Sequence, residues 1–311
     1  MTIARRMRVL LLASASVAAL WVGSMEAQAA DLAPQPAEPA PPVEAKGVFT
    51  VTAMGYGFWE ADKGVGFPPL GSIDPLIGFG GGLGIAYQPA LSPWSFGLNA
   101  RYGTTNKKSK SVAFTSSPST SGIVTEKRKS SHLILDFTIG RDVGLGLTPA
   151  GDPVLQLQGG LRFAHLQDKT DVHAAVTFGP LSSSGASVKR SFTGFGPRVG
   201  LAGSMPLGGA FSLDGTGGVS LLYGRSTEKV TLTSSGAVTF AAKKNKNAWV
   251  PGLDGSVAVS YSFNPSAKIS AGYRAEAYFN AYSAVVPGGS GVTQDKDFIV
   301  HGPYVEAKFK F

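Results

Sequence analysis

From Gly47 onward apolar side chains recur at every second position, and this period of two constrains the fold more than any other feature of the chain. Successive side chains of a strand point to opposite faces, whereas a helix would group residues three and four apart. Ile77, Phe79, Leu83, Ile85 and Tyr87 fall on one face of residues 76–88, and the other face is nearly all glycine. Trp94, Phe96, Leu98, Ala100 and Tyr102 oppose Ser95, Gly97, Asn99 and Arg101. Leu133, Leu135, Phe137 and Ile139 oppose His132, Asp136 and Thr138, with Ile134 as the one apolar exception. The pattern continues through Leu155, Leu157, Leu161 and Phe163; Phe211, Leu213, Val219, Leu221 and Tyr223; Leu253, Val257, Val259, Tyr261 and Phe263; and Ile269, Ala271, Tyr273 and Phe279. An all-β chain is predicted.

A soluble β-sandwich alternates as well. Three further features point to a transmembrane antiparallel up-and-down β-barrel. Aromatics close the outward rows (Tyr87, Trp94, Tyr261, Phe263), as girdles at the lipid–water interface would. Connections alternate in length: short near 89–93, 144–152, 206–209 and 264–267, long near 60–75, 104–130, 167–188, 225–247 and 281–297. Short periplasmic turns opposite long external loops are the outer-membrane arrangement. Last, Val305, Ala307, Phe309 and Phe311 share one face, opposite Glu306, Lys308 and Lys310. A final strand ending in Phe311 resembles the signal read by the bacterial barrel-assembly machinery, a predicted partner. Ten strands are expected, starting near 48, 76, 94, 132, 154, 192, 210, 249, 268 and 299, so both termini return to the periplasm. Strand-like stretches within 225–247 (Lys229 to Thr233, Ala237 to Ala241) leave twelve as the alternative.

The N-terminus agrees with export. Arg5, Arg6 and Arg8 precede an apolar run from Val9 to Gly23, and Ala27-Gln28-Ala29 follows, the order of a cleavable secretory signal. Residues 1–29 are read as a signal peptide and Ala30 as the first mature residue. The apolar run is shorter than the roughly twenty residues a spanning helix needs. Residues 30–46 carry Pro34, Pro36, Pro39, Pro41 and Pro42 and read as an extended periplasmic linker. Residues 47–311 form the barrel. With 41 Gly, 20 Pro and no Cys, the chain suits short strands and turns and offers no thiolate for a disulfide or metal. Its 28 basic and 20 acidic residues become 25 and 19 once Arg5, Arg6, Arg8 and Glu26 are removed, a net +6. Such a surface suits anionic lipid phosphates, and nothing points to nucleic acid.

The stretch Phe192-Thr-Gly-Phe-Gly-Pro-Arg-Val-Gly-Leu201, with Phe211-Ser-Leu and Ser220-Leu-Leu-Tyr-Gly224, resembles a hairpin of the Legionella-type major outer membrane protein family. The close resemblance covers about residues 190–225, and the terminal Phe agrees. It implies a pore-forming barrel, passive transport, and no catalytic residue or cofactor.

Four histidines bear on catalysis: His132, His165, His173 and His301. His165 and His173 with Asp168 and Asp171 are the one cluster in which an acid–His arrangement is conceivable, and it reads better as a solvated loop. The spacing of eight between the two histidines matches no metal-ligand motif. Gly78, Gly80, Gly81, Gly82 and Gly84 superficially resemble a phosphate loop, but a strand follows where a helix is required. No catalytic, cofactor or metal site is assigned. The predicted lumen-lining set is Arg101, Asp136, Arg162, Arg198, Asp214, Asp254, Arg274, Glu276, Glu306 and Lys308. Within it, Arg101 should pair with Asp136 and Arg274 with Asp254. Arg162 and Arg198 should face each other at mid-height and give a weak anion preference, unless an acid from across the lumen neutralises both. Basic runs in the long loops, Lys107, Lys108, Lys110, Lys127, Arg128 and Lys129, and Lys243, Lys244 and Lys246, are solvated rim charges or contacts to lipopolysaccharide phosphates. The expected function is a narrow, passive pore for small hydrophilic solutes. The alternative is a closed barrel with a structural or surface-interaction role through its external loops.

Overall fold

The computed structural model describes residues 46–61, 76–117, 120–143, 155–177, 182–285 and 293–311. The expected signal peptide, and all of the linker except Lys46, lie outside the described residues, as do most of the connections near 60–75 and 144–152.

Eleven antiparallel strands follow in chain order: β1 (Val48–Glu60), β2 (Leu76–Gln88), β3 (Trp94–Thr105), β4 (Lys108–Ser117), β5 (Thr120–Asp142), β6 (Leu155–Thr177), β7 (Ser182–Gly208), β8 (Phe211–Ser234), β9 (Ala237–Asn264), β10 (Ala267–Val285) and β11 (Thr293–Lys310). Each strand pairs with its neighbours around the sheet, β1 pairs with β11, and β3 pairs with β5, so the sheet closes on itself. β3 runs along residues 131–141 of β5 and β4 along residues 120–128. The two are one stave interrupted at Asn106 and Lys107, and the eleven strands build a ten-stave wall. At the seam the Phe49 amide donates to the Phe311 carbonyl at 3.0 Å, and the Phe311 amide returns the bond to Phe49 at 2.8 Å. Closure pairs the edges that an open sheet would expose, the condition for a sheet in lipid.

The outward rows match the alternation in the sequence. Phe49, Tyr87 and Phe96 lie opposite one another near the end that carries Gly47 and Phe311, and Phe211 meets Tyr261 at the same end. A second row, Leu135, Phe163, Phe195, Tyr223 and Trp249, runs register-matched across β5 to β9 near the far edge of the apolar band. Two aromatic-rich levels with aliphatic residues between them are the imprint of a bilayer.

The expected long loops are corrected here. Residues 104–130, 167–188, 225–247 and 281–297 are for the most part strand, and β9 alone runs for 28 residues. β8 and β9 stay paired up to a two-residue tip, where Ser235 and Gly236 take φ of 48° and 82°, the left-handed pair of a tight hairpin turn. Beyond the bilayer no lipid selects apolar outward residues, so the alternation of hydrophobicity stops while the hydrogen-bonded ladder continues.

The inner face carries a core of its own. Phe58, Ile134, Leu166, Phe192, Leu222, Val250, Tyr278, Tyr282 and Phe298 are buried and form one cluster in the lumen. Ile134, the exception in its strand's alternation, belongs to this cluster. A register slip between Tyr278 and Tyr282, with Asn280 at φ 58°, brings Tyr278, Ala281 and Tyr282 into it. The glycines of β2 make room on the inner face: a Cβ at Gly78 would strike the Phe58 ring, and one at Gly80 the Tyr56 ring and the Tyr102 carbonyl.

Candidate functional site

The lumen is where charged side chains converge, and it is stacked in tiers. Nearest the short turns, at the end that carries Val48 and Lys310, is a polar vestibule of about 350 Å³, lined among others by Thr52, Asn99, Gln158, Asp214, Lys268 and Glu306. Asp214 there accepts from Lys268 (2.8 Å to Oδ2), Ser204 and Ser260. Lys308 lies 3.9 Å from Glu306.

Above the vestibule an ionic tier crosses the barrel. Arg162 grips Asp136 with two bonds, Nε to Oδ1 at 2.6 Å and Nη2 to Oδ2 at 2.9 Å, and reaches Asp254 Oδ1 with Nη1 at 2.7 Å. Arg198 donates to Asp254 Oδ2 at 2.6 Å. Arg101 contacts Asp136 and Glu276, each at 3.2 Å, and Arg274 lies 3.4 Å from Glu276. Four guanidinium groups therefore meet three carboxylates, and all but Arg274 are less than one-tenth exposed. Buried charges persist only when paired and hydrogen-bonded in this way.

Three expectations about this tier are resolved by its geometry. Arg101 and Asp136 meet, diagonally across β3 and β5, because Asp136 stands directly opposite Asn99. Arg274 does not pair with Asp254; the register sets Arg274 opposite Ser256, and its partner is Glu276 on its own strand. Arg162 and Arg198 are not opposed, since Arg162 faces Gly196 and Arg198 faces Gly160, and Asp254 reaches from β9 to bridge both. The local positive potential expected at mid-height is therefore largely cancelled.

Over this tier lies the apolar cluster, with His132 inserted between the Phe58 and Phe298 rings and sharing a hydrogen bond with the Tyr56 hydroxyl at 2.9 Å. Arg162 also reaches up to the Tyr278 hydroxyl at 3.4 Å. A second ionic tier follows. Arg128 binds Glu60 and, at 3.0 Å, Asp168; Arg190 binds Glu228 at 3.1 Å; and Lys296 stands 3.6 Å from Asp168. The sequence missed this tier, because all of its residues except Arg190 fall in stretches expected to be loops. The signal was present as phase: Arg128, Ser130, His132, Ile134 and Asp136 keep to one face of β5 throughout.

Arg128 is therefore corrected from a rim contact for lipopolysaccharide to an interior residue, 1% exposed. Lys107, Lys110, Lys129, Lys243, Lys244 and Lys246 are exposed on the strand extensions, and Lys108 and Lys127 are partly covered. The four-residue His–Asp cluster does not assemble, although Asp171 and His173, two residues apart, share the outward face of β6. Asp168 points into the barrel, while His165 and Asp171 lie on the outward face; His165 bonds Thr193 at 2.7 Å and Asp171 accepts from Ser187 at 2.6 Å. His173, eight residues from His165 on an extended strand, is about 27 Å away.

A closed, ten-stave sheet with two aromatic levels outside and a charged interior defines a bacterial outer-membrane β-barrel. The chain belongs to the family described as Legionella pneumophila major outer membrane protein precursor, whose model matches residues 69–311. No curated protein matches the sequence. Among solved structures it is similar to the outer membrane protease OmpT of Escherichia coli (10% identity, 88% of this chain and 99% of that one, TM-score 0.45). It is also similar to the translocator domain of the autotransporter NalP from Neisseria meningitidis (12%, 86% and 89%, 0.38). A third is a major outer membrane protein from Thermus thermophilus (15%, 85% and 99%, 0.25).

Proposed function

We propose that this outer-membrane barrel is closed to solutes at rest and works at the cell surface through its tall strand extensions. The carrying observation is the apolar tier held between two paired ionic tiers, in which Phe58, Phe192, Leu222 and Phe298 are each at most 3% exposed and pack into one cluster. Ten staves enclose little more than side chains can fill. The extensions of β5 to β9 carry the outer part of the molecule well past the upper aromatic row. No catalytic role is proposed: Asp168 is held inside the barrel by Arg128, and Asp171, on the outward face with His165 and His173, is engaged by Ser187 and Lys169.

A second reading, passive passage of small hydrophilic solutes, is favoured by the vestibule, which brings water from one end as far as Arg101 and Arg198. The two readings part in a planar bilayer. The closed barrel predicts no steady ohmic conductance from the purified, refolded protein; a stable conductance in every insertion establishes the pore. If current flows, the bridging of Arg162 and Arg198 by Asp254 predicts little anion preference under a KCl gradient.

A further inference from the structure

On the outward face of the strand extensions, Lys129, Lys169, Lys189, Lys229 and Lys243 stand directly opposite one another on five consecutive strands. All five are exposed, while their neighbours along the strands, Arg128, Asp168, Thr170, Val188, Arg190 and Glu228 among them, are buried toward the lumen. The row is thus a continuous line of ammonium groups on the outside of the wall, about 19 Å long at a strand spacing of about 4.8 Å.

Like charges directly opposite one another on a sheet are unfavourable, and here the arrangement repeats at four successive strand pairs. At this height the inner face gives every cation an acidic partner, with Arg128, Arg190 and Lys296 set against Glu60, Asp168 and Glu228 and with Glu126 buried beside them. The outer face does not. Lys169 meets Asp171 on its own strand at 2.9 Å, and no acidic partner stands against Lys129, Lys189, Lys229 or Lys243 among the described residues. Burial tends to raise the Asp171 carboxyl, but hydrogen bonds from Ser187 and Lys169 outweigh it and hold the group below the usual carboxylate range; the one ion pair it makes within the row is with Lys169.

Height decides which anion the row can meet. The lysine row lies six residues beyond the row Leu135, Phe163, Phe195, Tyr223 and Trp249, about 20 Å along the strands and about 15 Å along the membrane normal at a tilt of about 40°. Two rows of polar residues separate them, Leu133, His165, Thr193, Arg225 and Asn247, in which Leu133 is the exception, and then Ser131, Gln167, Ser191, Thr227 and Asn245. A phospholipid headgroup ends well below that level. A lipid whose headgroup is a chain of sugars reaches it.

We propose that this lysine row is a docking stripe for the phosphate groups on the sugar core of outer-leaflet lipopolysaccharide. Lysine ammonium groups act as point charges toward phosphate, and a line of them tolerates phosphates at varied positions along a glycolipid surface. Five residues, three of them unremarked in the sequence, replace the nine scattered basic positions as the contact set; Lys129 and Lys243 are common to both. The stripe depends on outer-membrane placement and not on whether the lumen conducts, so the bilayer experiment above does not bear on it.

The test measures binding of the refolded barrel to purified lipopolysaccharide truncated after a phosphorylated inner core. Replacing all five lysines with Gln raises Kd by roughly 100-fold, and replacing all five with Arg leaves it within about threefold. Replacing Lys107, Lys108, Lys110, Lys244 and Lys246 with Gln removes the same charge from the same end and also leaves Kd within about threefold. Equal loss in the two Gln variants overturns the stripe, as does undiminished binding of the same glycolipid stripped of its phosphates. Binding to phosphatidylglycerol vesicles as tight as to the glycolipid overturns the choice of partner. Should the five-fold Gln variant not refold, Lys189→Gln with Lys229→Gln, at the centre of the row, carries the same comparison against Lys244→Gln with Lys246→Gln.

Discussion

Asp254 holds Arg162 and Arg198 at once, with contacts of 2.7 and 2.6 Å, and its removal leaves two guanidinium groups facing an apolar tier with one carboxylate fewer between them. Breaking a buried pair by deleting one partner costs about 3 to 5 kcal/mol, because the remaining charge stays desolvated. Asp254→Ala is therefore expected to lower the denaturant midpoint of the refolded barrel far more than Asp214→Ala, whose carboxylate sits in the hydrated vestibule. Equal midpoints for the two would show that the mid-height tier is wetter than its burial indicates. Gly80 offers a steric counterpart. A Cβ there meets both the Tyr56 ring and the Tyr102 carbonyl, and the carbonyl is fixed in the ladder, so Gly80→Val is expected to cost about 1 to 3 kcal/mol by the same measurement. The face on which each residue points was legible in the sequence, since a period of two leaves only two choices. The partner of each charge was not: Asp254 and Arg162 are three strands apart, and which residues share a height across the lumen depends on register and stagger, which no local pattern encodes.

The strands divide into a part set by lipid and a part set only by pairing. Within the bilayer, Leu213, Val219, Leu221 and Tyr223 announce β8 by hydrophobicity; beyond it, Arg225, Thr227, Lys229 and Thr231 continue the same outward row with nothing apolar to mark it. That is why 225–247 reads as a loop and folds as a hairpin. It is also why Glu60, Arg128, Asp168 and Arg190 escaped notice as interior residues while Arg101 and Asp136 did not. The division predicts independence. Deleting residues 231–241 and rejoining Val230 to Ala242, its partner in the ladder, through a two-residue Ser-Gly tip removes only exposed or half-exposed side chains. The shortened barrel is expected to keep its heat-modifiable migration on gels and its denaturant midpoint. A lower midpoint would mean that the extension supports the upper ionic tier from above.

For the whole molecule, closure and blockage are separate properties with separate tests. Closure rests on the seam between β1 and β11, where Phe311 supplies the last two backbone bonds through Phe49. An unsatisfied backbone group in lipid costs several kcal/mol, so deleting Phe311 is expected to cut outer-membrane yield sharply, whereas changing Thr120 at the far end of β5 does not. Blockage rests on the interior. Both ionic tiers are hydrophilic and accommodate water if their side chains shift; the apolar tier between them has no group to hold a water chain, apart from His132 and the tyrosine hydroxyls. A hydrophobic constriction excludes ions by dewetting even where its radius would admit them. Arg162→Ala alone, which opens space below that tier, is therefore expected to leave the barrel silent in a planar bilayer. Phe58→Ala with Phe192→Ala and Phe298→Ala, which removes three rings from the tier itself, is expected to produce discrete conductance steps. The reverse result, current through Arg162→Ala and none through a folded triple variant, would place the barrier in the ion pairs. The bridging role of Asp254 would then be the seal of the lumen as well as a source of its stability.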